Sequence, residues 1–443
     1  MCDCDQQTEK YNQSRRRRYE MMESAGGILP NERVATCSKH VPKFGAAANN
    51  NGIVLSINTF NRAQYSGVNV CGSVWTCPVC GERIGSYRAN EVSIAIEQHV
   101  KNGGWGLFLT LTHSHSKHDR LSDLLINESK AQQAMRNTSR FKNLMKKYGY
   151  LGSVKSLETL FGFSNGWHNH THEVMFIDRK ISSSELLEIK TTIYDIWSFY
   201  CDKFGLGLPN YNGVDVQIPF SMDSMAKYVS KWGYELTHLQ MKSGKNGNRT
   251  PFNILADLTQ KYSVKDHNLF LEYARAFKGK KQLRWSRGLK KLFGIEEITD
   301  AQLDALPVKE VITIIKKRDW YMILGANKRA ELLEVAEQGG ASAVHVYIKQ
   351  LHDIVDLVKL RQSISKRHTS DRIYLHTDLQ SQNNFSGYHS SSYSDMYSAL
   401  SDSHTREYNN LIQKERNLES RYSLDNIAFM RPKHIKMNLQ KTA

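Results

Sequence analysis

Apolar positions change period several times between residues 104 and 235, and each change predicts an element. Phe108-Leu109-Thr110-Leu111-Thr112 is a short β-prone run that ends in polar residues and predicts a strand. Leu121, Leu124 and Leu125, then Met135, Leu144 and Met145, mark a broken amphipathic helix across roughly 121–147. Val154–Thr159 and His170–Ile177 predict two further strands joined by the turn-rich Gly162–Gly166 region. Ser182 and Glu185 have capping-box spacing. The helix they open carries Leu186, Ile189, Ile193, Ile196, Trp197 and Tyr200 on one face. Val214–Ile218 alternates and stops at Pro219, and Ser224–Trp232 predicts a final helix. The order β-α-β-β-α-β is the split-βαβ pattern, an antiparallel sheet with helices, so the expected class is α+β. That pattern hosts many functions and by itself names none.

The flanks read differently. Residues 1–30 are polar and include Arg15–Arg18, which predicts a mobile basic arm. Residues 31–100 form a Cys-rich segment, 101–240 hold the split-βαβ domain, and 241–345 predict a basic helical accessory region. Residues 346–443 predict a polar, poorly ordered tail, with nine serines between Ser381 and Ser403.

Composition narrows the function. The 443 residues carry 60 Lys+Arg against 44 Asp+Glu, a formal charge of +16, which makes a polyanion the leading partner. With 40% hydrophobic residues the chain can bury a core, which excludes global disorder. No apolar run reaches the roughly 18 residues of a membrane span. The N-terminal stretch has no secretory signal, so a cytoplasmic location without membrane contact is expected.

Three constellations carry chemistry. On a strand, His170 and His172 point to one face, and two imidazoles with one carboxylate make a facial site for a divalent cation. Glu158, on the preceding run, reaches that face if the two runs pair as a hairpin. On a helix, Tyr228 and Lys231 share a face. A phenolic oxygen beside an ammonium and a metal is a competent nucleophile, because both cations favour its ionised form. Cys77 and Cys80 form a CxxC knuckle that, with Cys71 and Cys37, supplies four thiolates for a structural zinc, His40 being an alternative to Cys37.

Four segments in this order resemble the replication-initiator family of rolling-circle plasmids, within the HUH endonucleases. They are Cys71–Cys80, Phe108–Thr112, Gly166–His172 and Lys227–Lys231. Arg249–Phe252 and Glu272–Gly279, running into Leu283–Leu289, resemble bacterial members. The resemblance covers about 37–345 and makes 101–240 an HUH nuclease domain. It implies that His170, His172 and Glu158 bind Mg²⁺ or Mn²⁺. It also implies that Tyr228 attacks origin DNA, single-stranded or in a hairpin, leaving a 5′-phosphotyrosyl link and a 3′-OH primer. Lys231 would assist by charge, and host helicase and polymerase would follow.

The sequence also departs from the family pattern. Thr171 stands where an apolar residue is usual, Asn169 replaces a proline, and Glu173 follows the second histidine. Ser224 occupies the position where some members carry a hydrolytic glutamate. A relaxase or transposase shares the same chemistry. A non-catalytic, zinc-containing DNA-binding regulator explains the charge and cysteines but leaves Glu158, His170, His172 and Tyr228 without a use. Finally, Leu271–Lys291 carries eight Lys/Arg, and Arg275, Arg284 and Arg287 are candidate DNA contacts. Tyr273 and Phe277, four residues apart, have the spacing of core positions.

Overall fold

The computed structural model describes residues 3–39, 52–58, 61–218, 247–296 and 308–382, with isolated positions 410 and 413, and side chains between residues 6 and 356. The chain divides into two compact units, one from residues up to 50 with 65–308, the other from 51–64 with 309 onward. Among the described residues no helix is long and apolar enough to cross a membrane.

The first unit is α+β. It opens with helix α1 (Asp3–Ile28), and α2 (Pro78–Lys101) follows. Strand β3 (Trp105–Thr112), helices α3 (Leu121–Asn137) and α4 (Ser139–Lys147), and strands β4 (Tyr150–Gly162) and β5 (Gly166–Ile177) come next. Helix α5 (Ser183–Lys203) and strand β6 (Val214–Gln217) complete the split-βαβ core. Helices α6 (Pro251–Gln260) and α7 (Val264–Phe277), strand β7 (Leu283–Trp285) and helix α8 (Leu289–Leu292) follow.

The sheet order is β6-β3-β5-β4-β7, with each neighbouring pair antiparallel. β5 is therefore central. The expected break in the first helical stretch falls at Thr138, whose side chain caps α4 by accepting from the Phe141 amide. The capping box at Ser182 and Glu185 is present at the start of α5. Below it, Ile189, Ile193 and Trp197 are buried at helical spacing.

The two faces of β5 divide the labour. Trp167, Asn169, Thr171, Glu173 and Met175 alternate with His168, His170, His172, Val174 and Phe176. Asn169, Thr171 and Glu173 are almost wholly buried, at 0%, 1% and 0% exposure, which is costly for polar groups unless each is bonded. Each has a partner. Asn169 Oδ1 accepts from Thr159 Oγ1 at 2.9 Å, Thr171 Oγ1 donates to Glu128 Oε1 at 2.6 Å and accepts from Gln132 Nε2 at 2.6 Å, and Arg136 Nη2 pairs with Glu173 Oε2.

Glu128, Gln132 and Arg136 lie four residues apart on α3. Four helical residues rise about 6 Å and two strand residues about 6.6 Å, so helix and strand offer polar groups at nearly the same spacing. The polar residues that depart from the family pattern on this face are thus a zipper between α3 and β5.

The second unit contains a three-stranded sheet, β2-β1-β8, from β1 (Gly52–Asn58), β2 (Ala63–Ser66) and β8 (Val308–Lys316). Helix α9 (Lys317–Gly325) buries Trp320 and Ile323. Helix α10 (Arg329–Gln382) is interrupted at Gly340, whose φ of 59° is open to glycine without strain.

The described residues bear on three of the expected segments. Described residues of the 1–30 segment form helix α1 instead of a mobile arm. Tyr19, Met22 and Ala25 are buried three apart, and Arg15 lies over the Tyr11 ring at 4.8 Å. The charge count hid this apolar stripe. Within the 241–345 region expected to be a basic helical accessory segment, β7 pairs with β4 in the main sheet and β8 pairs with β1. The expected 346–443 tail begins inside α10; beyond residue 382 it lies outside the described residues, apart from 410 and 413.

The zipper predicts a measurable coupling. Arg136→Met should destabilise the first unit by about 3–5 kcal/mol, because it strands the buried Glu173 carboxylate. Adding Glu173→Leu should restore much of that loss in urea unfolding.

Candidate metal centres

The β4–β5 hairpin places Glu158 directly opposite His170, and Ser156 opposite His172. Gly166 starts β5 with φ +78°, and an added Cβ would come within 2.8 Å of the Lys117 backbone. Glu158, His170 and His172 bring one ligand atom each to within 4.8 Å of the others. Glu158 Oε2 and His172 Nε2 are 2.9 Å apart. Adjacent ligands of an octahedral Mg²⁺ at about 2.1 Å would be separated by about 3 Å, so this edge suits such an ion.

The donor set also suits it. Burial pushes the His170 imidazole down to about 4, which keeps it neutral and able to ligate near neutral pH. Its Nε2 is buried without a hydrogen-bond partner. The rings of His170 and His172 are nearly parallel, 4° apart, with centroids separated by 5.9 Å.

Surrounding groups hold these rings. Thr110 on β3 lies opposite His172 in the register, and its Oγ1 is 3.2 Å from His172 Nδ1. That contact leaves Nε2 turned toward Glu158, the kind of outer support that orients a ligating imidazole. Phe108 stacks on the same ring at 5.7 Å. His168 packs at a tilt against His170 at 4.1 Å and stacks on His115 at 4.4 Å; burial pushes the His168 imidazole down to about 3. Sequence reasoning gave Thr110 and His115 no role. The signal for Thr110 was its place in the Phe108–Thr112 run, but assigning it needed the register.

The cysteine cluster is a second candidate centre. Cys37, Cys71, Cys77 and Cys80 are all buried and gather in one group. Cys37–Cys80 and Cys71–Cys80 sulfur separations are 3.6 Å, and Cys77–Cys37 is 3.8 Å. These exceed a disulfide of about 2.05 Å. They match the edge of a tetrahedron of sulfurs about 2.3 Å from a zinc, which is about 3.8 Å.

Local chemistry positions each thiol. Cys77 caps α2, with Pro78 in its first turn and the Cys80 amide 3.5 Å from Cys77 Sγ. Gly72, at φ 66°, turns the chain so that the Ser73 amide points at Cys71 Sγ, 3.4 Å away. Hydrogen bonds from the other thiols, Cys37 foremost, hold the Cys80 thiol well below its usual value, while burial raises Cys77. The cluster is compatible with a structural zinc. His40, the alternative ligand, lies outside the described residues.

Arg275, Arg284 and Arg287 are exposed on α7, on β7 and just after β7. Tyr273 and Phe277, at 1% and 0% exposure, are core residues, as their spacing suggested. Lys278 and Lys290 are ion-paired with Glu32 and Glu91. Tyr228 and Lys231, with Ser224, lie outside the described residues.

No family model matches the chain, and no solved structure matches it. Two curated proteins are similar. "Protein rep" of Streptomyces lividans is 23% identical over 310 residues, covering 55% of this chain and 68% of that protein. "Neomycin resistance protein" of Streptomyces cyanogenus is 25% identical over 150 residues, covering 28% of this chain and 34% of that protein.

Each centre has its own test. About one equivalent of zinc should purify with the protein and resist exchange with Mg²⁺, and Cys80→Ser should lose it and lower the melting temperature. Plasma emission on protein never exposed to chelator gives the count. At the facial site, Thr110→Val should weaken Mn²⁺ binding about 10-fold by freeing the His172 ring, while secondary structure stays unchanged by circular dichroism.

Proposed function

We propose that this protein is a plasmid replication initiator of the HUH type, which nicks and rejoins origin DNA through Tyr228. The observation that carries the reading is the convergence of Glu158 on β4 with His170 and His172 on the central strand β5 of a split-βαβ sheet. The similarity to a protein named Protein rep supports the replication part of it. The excess of +16 charge supports a nucleic-acid partner.

In this reading the Tyr228 phenolic oxygen forms a bond to a backbone phosphorus as the bond from phosphorus to the 3′ oxygen breaks. The phenolic proton passes to that 3′ oxygen. One phosphodiester replaces another, so the free 3′-OH can prime synthesis, and its attack on the phosphotyrosyl link rejoins the strand. A divalent cation held by Glu158, His170 and His172, Mg²⁺ or Mn²⁺, would draw charge from the phosphate oxygens and favour in-line attack. Thr110 would keep the His172 ring turned toward Glu158, and the low basicity of His170 would keep its lone pair available. Lys231 would hold the phosphate or the phenolate by charge. Arg275, Arg284 and Arg287 would add screened contacts to phosphates. A regulator without catalysis accounts for the charge and the cysteines but gives the buried, partnerless His170 Nε2 no purpose.

The reading is tested by mixing the protein with Mn²⁺ and a labelled pool of random single-stranded oligonucleotides, then separating covalent adducts on a denaturing gel. The wild-type chain should form an adduct resistant to boiling in detergent. Tyr228→Phe should reduce it to background while leaving the melting temperature within about 1 °C, since only an oxygen is removed. An adduct that persists in this variant and maps to another tyrosine would overturn the assignment.

A further inference from the structure

We propose that the first unit holds a phosphate-binding pocket on the sheet face opposite the metal-site histidines, built by Lys155, Lys280, Lys281 and Arg284. These four cations line one small, solvent-open cleft of about 30 Å³ together with Gln132 and Gln282. Glu128 is the one carboxylate among its lining residues; its Oε1 accepts from Thr171 and Gln132, and its Oε2 lies 3.9 Å from His113 Nε2. None of the four cations forms an ion pair with a described carboxylate. Lys155 Nζ donates instead to Gln132 Oε1 at 2.9 Å.

The register places Lys155 between Arg284 on β7 and the buried Glu173 carboxylate on β5. Lys155 on β4 and Arg284 on β7 are directly opposite partners of an antiparallel pair, where side chains share a face about 5 Å apart. Like charges placed so are destabilising. Lys155 is one residue further in than the Ser156–His172 pair, so its side chain leaves the opposite side of the sheet from His172. Burial, with Arg136 and Arg284 adding to it against Glu173 and Glu128, pushes Lys155 down to about 8, and burial and Arg284 lower Lys280 against Glu128. A tetrahedral oxyanion answers each feature: it accepts from two ammonium groups, offers two oxygens to a guanidinium fork, and removes the mutual repulsion.

The pocket shares Arg284 with the DNA contacts of the proposed function, but it lies on the sheet face opposite the metal-site histidines and its test does not depend on nicking. A phosphate group reaches it either as a free phosphoanion or as part of a nucleic-acid backbone. The test uses full-length protein carrying Tyr228→Phe, without added metal, so that no nicking contributes. Melting temperature is followed while inorganic phosphate is titrated at pH 7.5, with ionic strength held constant by sodium chloride. A saturable rise is expected, and it should vanish in K280A/R284A, whose side chains point partly or wholly to solvent and whose folding should survive. Lys155→Gln, which keeps a polar contact to Gln132, should weaken the response at least about 10-fold, consistent with losing one charge-assisted bond. A short oligodeoxythymidine that displaces phosphate assigns the pocket to the DNA backbone. One that leaves the response intact assigns it to a free phosphoanion, and either result upholds the pocket. No phosphate-dependent rise in the parent, or an equal rise in K280A/R284A, overturns the proposal.

Discussion

The first unit depends on one constraint: β5 is a central strand that is polar on both faces at its chemical end. A central strand normally buries apolar side chains, and every polar atom it buries needs a partner. Here α3 supplies partners to Thr171 and Glu173 at matching spacing, with Glu128 and Gln132 on Thr171 and Arg136 on Glu173, while Thr159 of β4 bonds Asn169. The Asn169 Nδ2 and Glu173 Oε1 atoms have no hydrogen-bond partner among the described residues. A slip of one residue in β5 would put the histidines against α3 and Thr171 on the outside. The zipper therefore fixes which face carries the imidazoles.

Along the face that carries them, the strand changes character. Val174 and Phe176 are fully buried, the latter beside His99 of α2 at 5.3 Å and Phe293 at 5.0 Å. His99 Nε2 in turn contacts the Ile177 carbonyl at 2.7 Å. The apolar end is clamped under helices, and the other end presents His168, His170 and His172. Trp167, just before them, is anchored by its indole N–H to Glu272 of α7 at 2.9 Å. Rigid support at both ends suits a site whose ligands must hold their geometry.

The cysteine cluster solves a different problem. Cys37 is separated by 34 positions from Cys71, and residues 40–51 between them lie outside the described structure. Four buried sulfurs 3.6–3.8 Å apart need shared protons or a cation between them. A tetrahedral cation would cross-link α2 to the segment after α1 without demanding a larger apolar core.

Sequence alone determined the elements whose signals are local. The capping box at Ser182, the break near 138, the β-α-β-β-α-β order and the pairing of His170 with His172 all follow from spacing within a few residues. The same locality made the CxxC knuckle and the core placement of Tyr273 and Phe277 legible. Tertiary structure decided what distance along the chain conceals. Thr110 gained a role only through register with His172, and Lys155 met Arg284 only because β7 joins the main sheet. In the N-terminal helix, burial follows one stripe of Tyr19, Met22 and Ala25, which a charge count over 30 residues does not reveal. Thr171 and Glu173 read as departures from a pattern until α3 brought them partners. A polar residue's fitness for a buried position depends on a bond to a residue elsewhere in the chain, and periodicity carries no record of that bond.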